Sequence, residues 1–176
     1  ISASGGLDGT GAGSGGSIWL QTGTLTGSGV IRANGGQGVS SNMASINASG
    51  AGGRIALDYT TNNFSGDIEA LPGPSNGSSL FDPGGPGTVY DTPLTKIVID
   101  GNNVARGWRD RSFDAHPAVV VTGTYDLNAI ELVHAGYLEF TSGTTVTLSS
   151  SSVITGDASG VLTTRGALNL PSSFAV

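Results

Sequence analysis

The chain has 176 residues, of which 30 are glycine, 20 are charged and none is cysteine, and its net charge at pH 7 is −6. This length fits one domain with a core of its own. The glycine content disfavours a helical protein, because each glycine inside a helix costs about 1 kcal/mol. The 37% of hydrophobic residues argue against a disordered chain. The negative charge argues against a nucleic-acid partner, and no apolar run reaches the ~20 residues of a membrane span.

Residues 1–95 contain about two and a half copies of one glycine-rich repeat. One motif, I-x-A-x-[GP]-G, begins at Ile1, Ile31 and Ile68. A second motif runs Gly-Gly-x-Ile-x-Leu and begins at Gly15 and Gly52, with a weaker copy at Pro86. Such self-similarity predicts stacked supersecondary units, each holding two or three short strands. We expect glycine at bends that need a positive φ and where stacked strands leave no room for a Cβ.

Residues 96–118 have a different composition, since charged and aromatic side chains are dense there and nowhere else. The centre of this segment runs from Arg106 to His116. Segments of this kind are typical of loops on a rigid scaffold. We therefore predict an excursion that leaves the repeats and returns to them.

Residues 119–176 show apolar side chains at a constant spacing of eight: Ile130, Leu138, Val146, Ile154, Leu162 and Leu170. A meander of hairpins would also give short strands at even spacing, but the Asn-Gly and Asp-Gly turns of hairpins are absent between them. Three strands of eight residues would instead close a coil of 24. This coil stacks Ile130 on Ile154, Leu138 on Leu162, and Val146 on Leu170. The sequence therefore predicts an all-β fold, a parallel β-helix (β-solenoid) continuous over the chain.

The sequence of residues 14–90 resembles the glycine-rich repeats of very large bacterial secreted and surface proteins. Examples are Gly-Gly-Ser-Ile-Trp-Leu from Gly15 and Gly-Gly-Arg-Ile-Ala-Leu from Gly52. Those proteins are right-handed parallel β-helices of the pectin-lyase-like and adhesin type. The resemblance implies an extracellular stalk, adhesin or filament, and it transfers no catalytic residue.

The charged segment supplies the candidate ligand-binding residues: Arg106, Trp108, Arg109, Asp110, Asp114 and His116. An exposed aromatic ring beside arginine is typical of interfaces and of sugar-stacking sites. Asp110 and Asp114 also offer the two carboxylates that a polysaccharide-degrading enzyme would need. The plain alternative is a solvated loop whose Arg and Asp side chains pair with each other. For Trp19 and Tyr90, which lie inside recurring strand motifs, we expect packing instead of ligand contact.

The sequence favours a structural protein over an enzyme. No metal or cofactor is expected, because the calcium repeat G-G-x-G-x-D does not recur and His116 and His134 lie far apart in the sequence. Uncharged, strand-like ends predict head-to-tail association or contact with neighbouring segments of a longer chain. The two rival hypotheses are a carbohydrate-binding module that uses residues 106–116, with glycans as partners, and a fragment of a polysaccharide-degrading β-helix enzyme.

Overall fold

The computed structural model describes residues 1–6, 11–38, 48–74, 84–103, 118–120 and 123–172. In these ranges the structure contains β-strands and no helix, so the prediction of an all-β protein is confirmed. The strands are β1 (Ser17–Gly27), β2 (Val30–Arg32), β3 (Arg54–Phe64), β4 (Asp67–Glu69), β5 (Thr88–Asp91), β6 (Lys96–Asp100), β7 (Ala118–Val120), β8 (Gly123–Val133), β9 (Tyr137–Phe140), β10 (Thr144–Gly156), β11 (Val161–Thr164) and β12 (Ala167–Asn169).

Most neighbouring strands run parallel. The largest sheet has the order β1-β3-β5-β6-β8-β10-β12, a second sheet has the order β11-β9-β7, and β2 pairs with β4. Among the described strands, only β5 and β6 pair antiparallel, with Asp91 opposite Lys96. The seven-stranded sheet therefore consists of two parallel blocks that run in opposite directions. The sequence pattern does not predict this hairpin, because its turn at residues 92–95 lacks an Asn-Gly or Asp-Gly pair.

In the first block, the copies of the repeat lie on one another in register. Ile18 pairs with Ile55, 37 residues later, and Ile55 pairs with Val89, 34 residues later. The other motif behaves in the same way, with Ile31 opposite Ile68. These stacked aliphatic side chains belong to one hydrophobic core, which we call the first core.

The glycine-rich segments of this block form two layers held together by backbone hydrogen bonds. One layer contains residues 1–6, 33–38 and 69–74, and the other contains residues 11–16, 48–53 and 84–88. Between the layers, the Gly36 N–H donates to the Gly13 carbonyl at 2.9 Å, and the Gly50 N–H donates to the Gly36 carbonyl at 2.9 Å. A Cβ on Gly36 or Gly50 would overlap a carbonyl oxygen of a neighbouring segment. The interior of this region is therefore backbone packed on backbone.

Close approach explains most of these glycines, and the expectation of positive φ at their bends is wrong for most of them. Among the described glycines, only Gly27 and Gly143 have a positive φ, of 119° and 84°. Other residue types adopt the left-handed conformation in the turns, with φ between 44° and 63°: Thr95, Asn102, Asn103, His134 and Ala135.

The second block keeps the predicted 24-residue spacing in part. Ile130 pairs with Ile154 and Leu138 pairs with Leu162, as predicted. The third predicted pair is wrong, because Val146 lies opposite Leu168, and Leu170 is 45% exposed. The cause is a shorter turn before β12: three residues lead from Thr164 to Ala167, against five along their partners, from Phe140 to Thr145. A run of four serines, residues 149–152, separately interrupts the register of β10 against β8.

The serine run is anchored by hydrogen bonds of its own. The buried Ser152 hydroxyl donates to the Leu127 carbonyl at 2.8 Å, and the Ser149 N–H donates to the Ser152 hydroxyl at 2.8 Å. These bonds satisfy backbone groups that the interrupted strand ladder leaves without a strand partner. The extra residues raise the spacing between paired residues of β8 and β10 from 21, where Thr144 pairs with Gly123, to 24, where Ile154 pairs with Ile130.

The hydrophobic cores of the two blocks lie on opposite faces of the seven-stranded sheet. At the hairpin, Val89 faces Val98, and both pack in the first core. The adjacent pair, Tyr90 and Ile97, packs in the other core, here called the second core. Because successive side chains of a strand point to opposite faces, the chain changes the face on which it builds its core at β5 and β6.

Candidate functional site

The candidate residues of the charged segment lie outside the described residues: Arg106, Trp108, Arg109, Asp110, Asp114 and His116. Their assignment as ligand-binding residues stays a prediction. The structure does place the two ends of the segment. Asp100 ends β6, and Ala118 begins β7.

The connection between these ends is longer than its counterpart in the next repeat. Asp100 pairs with Val133, and Ala118 pairs with Leu138. The path from Asp100 to Ala118 spans eighteen residues, and the equivalent path from Val133 to Leu138 spans five. Thirteen residues are therefore inserted at one turn, in the same stretch as the candidate ligand-binding residues.

The turns beside this insertion hold a cluster of polar contacts among the described residues. The His134 ring nitrogen Nδ1 lies 3.0 Å from the Asp100 carboxylate. On the other side, the His134 N–H donates to Asp157 at 2.6 Å, and the Ala135 N–H donates to the Ser159 hydroxyl at 2.7 Å. The cluster joins three successive turns of the second block, so its contacts hold the turns in register.

The chemistry of this cluster is that of a turn and not that of a catalytic triad. The Ser159 hydroxyl donates its single proton to the Asp157 carboxylate, whereas in a catalytic triad that proton would be donated to the imidazole. Donation from Ser159, and then from the His134 N–H, lowers the pKa of Asp157 to about 2. A carboxylate with such a pKa is a weak general base at neutral pH.

The aromatic side chains of the first block differ in their surroundings. The Tyr59 hydroxyl donates to Asp91 at 2.5 Å, and burial followed by this bond raises the pKa of Tyr59. Tyr90 packs against the second core, as expected. The same expectation is wrong for Trp19, which is 76% exposed. Trp19 lies on β1, which has no strand on its outer side within the described sheet.

Sequence reasoning missed Trp19 because its motif also recurs on β3, an interior strand, at Ala56. The signal that could have found it is its place in the first copy of the repeat, where the stack of strands ends. Within the described ranges, no group of three or more His, Asp or Glu side chains is placed to hold a metal ion.

A membrane-spanning helix is not found in the part of the chain that the structure describes. Comparison with protein families, with curated proteins and with solved structures finds no match for this chain.

Proposed function

We propose that the chain is a structural, extracellular β-solenoid that serves as a subunit or segment of a surface filament, stalk or adhesin. The stacking of like residues supports this proposal. In both blocks the chain repeatedly returns to the same sheet one strand further along, and the returning strand is parallel to the last. Such connectivity supports a solenoid, in which each repeat contacts mainly its neighbours.

The hairpin between β5 and β6 is compatible with one hand of winding throughout. Reversing the strand direction would by itself invert the hand of the coil, and so would moving the core to the other face. Both changes occur together at this hairpin. Two inversions cancel, so the hand of the coil is kept across the hairpin, as the proposed continuous right-handed solenoid requires.

The observation that carries the proposal is the incomplete burial at β1. Ile55 and Leu57 on β3 are each 1% exposed, whereas Ile18 and Leu20, at the same positions of the repeat on β1, are only half-buried. Among the described strands, β3 has neighbours on both sides and β1 on one. One more strand beside β1 would therefore bury Ile18 and Leu20 as β1 buries Ile55 and Leu57.

The composition of β1 favours such an addition. Exposed sheet edges are commonly protected by charged residues, proline or short length. β1 has 11 residues and contains neither a charged residue nor proline. At the opposite end of the sheet lies β12, which runs antiparallel to β1, because the two blocks point in opposite directions. Head-to-tail contact between copies would thus join antiparallel edges, as β5 and β6 join within the chain.

The test is sedimentation velocity over a concentration series, together with electron microscopy of the concentrated protein. We expect the mass to grow with concentration and rods or filaments to appear. Thr24→Lys adds a charge to the edge of β1 and should weaken association. Thr61→Lys adds the same charge at the paired position on β3 and should have little effect. A strictly monomeric particle at every concentration would exclude the filament-subunit form of the proposal.

A second candidate is carbohydrate binding through Arg106–His116. The observation that favours it is the thirteen-residue insertion, which the repeat does not need for its own connection. Deletion of residues 104–116 should abolish binding to a glycan array if this segment is the binding site. Unchanged binding in the deletion variant would reject the candidate.

A further inference from the structure

The change of core between the two blocks leaves a ledge on the sheet. The second core packs against the face of the sheet that bears Tyr90 and Ile97. On that same face, β1, β3 and β5 carry no part of the first core, since their core side chains point to the other side. This face of β1, β3 and β5, beside the second block, is the surface that we call the ledge.

The middle row of this ledge is apolar and aromatic. Trp19 lies opposite Ala56, and Ala56 lies opposite Tyr90. Trp19 is exposed, Ala56 is half-buried, and Tyr90 is held against the second core. The two aromatic residues are two strand spacings apart, or about 10 Å between their backbones. A methyl group forms the floor between them.

Polar side chains flank this row along the strands. On one side lies Arg54, which is exposed and has no carboxylate within ion-pair distance in the described part of the chain. On the other side, the Gln21 Nε2 donates to the Asp58 carboxylate at 2.9 Å. Gln21 lies two residues from Trp19, and Arg54 and Asp58 each lie two residues from Ala56. Because every second side chain of a strand points to the same face, all three share the face of the ledge.

We propose that this ledge binds a pyranose ring of a neutral polysaccharide or glycan. The C–H face of the sugar stacks on Trp19 above the Ala56 methyl group. Its hydroxyls donate to Asp58 and accept from Arg54, and Gln21 can do both. The ledge carries one cation and one anion, so it has no net charge that would select an acidic sugar. This inference goes beyond the structural role and uses the face of β1, whereas association uses its edge.

Isothermal titration calorimetry with cellohexaose and mannohexaose tests the proposal. We expect saturable binding by the intact chain. Trp19→Ala should weaken it about tenfold, the loss expected for one aromatic stack. Ala56→Leu should weaken it as much by filling the floor, while Trp19→Phe should retain most of it. Leu94→Ala removes an exposed apolar side chain elsewhere and should leave binding unchanged.

Fluorescence separates this site from the alternatives. In a Trp108→Phe background Trp19 is the sole tryptophan, because the chain contains two. A saturable emission shift with cellohexaose or mannohexaose then reports the ledge. The proposal is overturned if neither sugar binds, or if Trp19→Ala binds as well as the unmodified chain. In the Thr24→Lys variant, where association through the edge of β1 is weakened, a shift of the emission with protein concentration alone would also overturn the proposal, since a second copy would then cover Trp19 by another contact. Sedimentation of the Thr24→Lys and Thr61→Lys variants tests association separately.

Discussion

Val89 and Tyr90 are neighbours in β5, yet their side chains pack into different hydrophobic cores. The same holds on β6, where Val98 packs in the first core and Ile97 in the second. These two strands are apolar on both faces, as strands covered on both sides generally are. The hairpin is therefore the joint of the molecule, because each of its faces belongs to a different block.

The glycine layers predict a sharp contrast between two Gly→Ala substitutions. Gly50→Ala should lower the free energy of unfolding by about 3 kcal/mol, because its Cβ would overlap the Gly13 carbonyl and separate the two layers. Gly23→Ala, on β1, meets no atom within 4 Å and should be neutral or stabilising by about 0.5 kcal/mol. Urea unfolding of both variants measures the difference. Equal effects would refute the backbone-packed interior.

The second core predicts an equally clear contrast at adjacent positions of β10. Val146→Asp places a carboxylate at a fully buried site, beneath Leu168, and should cost about 3 to 5 kcal/mol of unfolding free energy. Thr145→Asp, one residue earlier and on the outer face, should cost less than about 1 kcal/mol. Thermal and urea unfolding check the pair. Similar losses in both variants would show that the register of β10 is wrong.

The turn cluster predicts a pH dependence below neutrality. The pKa of Asp157 is about 2 in the folded chain, against an ordinary value of 3.8. Its ionised form therefore stabilises the fold above about pH 4, and this contribution disappears as the pH falls towards 2. Asp157→Asn should flatten the loss of stability across this window relative to the unmodified chain.

Ser159→Ala tests the cause of that shift, since the Ser159 hydroxyl is its largest source. The Asp157 pKa, followed by carboxyl carbon chemical shifts in an NMR titration, should move upward towards its ordinary value. A titration midpoint that stays near 2 in this variant would remove the hydroxyl as the cause.

The insertion predicts which deletion the fold tolerates. Removing residues 104–116 leaves five residues from Asp100 to Ala118, as from Val133 to Leu138. This variant should keep its circular dichroism spectrum and melt within a few degrees of the intact chain. Removing residues 103–117 leaves a path of three residues from Asp100 to Ala118. This variant should be clearly destabilised, because three residues cannot span a turn that takes five from Val133 to Leu138. Tolerance of both deletions, or of neither, would contradict the placement of the insertion.

The sequence by itself determined which residues stack. Ile18 on Ile55 and Ile130 on Ile154 follow from spacing, because a stack of parallel strands places like residues over like at a constant interval. The same spacing fails for Val146, because the turn from β11 to β12 is two residues shorter than the turn from β9 to β10. The candidate site in the charged segment was predicted from composition alone, and only its two ends are positioned by the described residues.

Only the tertiary structure decided the joint between the blocks and the exposure of Trp19. Alternation along a strand says that two faces differ, but at Val89-Tyr90 and Ile97-Val98 both faces are apolar. Local pattern then does not choose the side on which the chain builds its core. Likewise, Trp19 and Ala56 occupy one position of the repeat. Their different exposure arises because β1 ends the described stack and β3 does not, which is a property of neighbours in space.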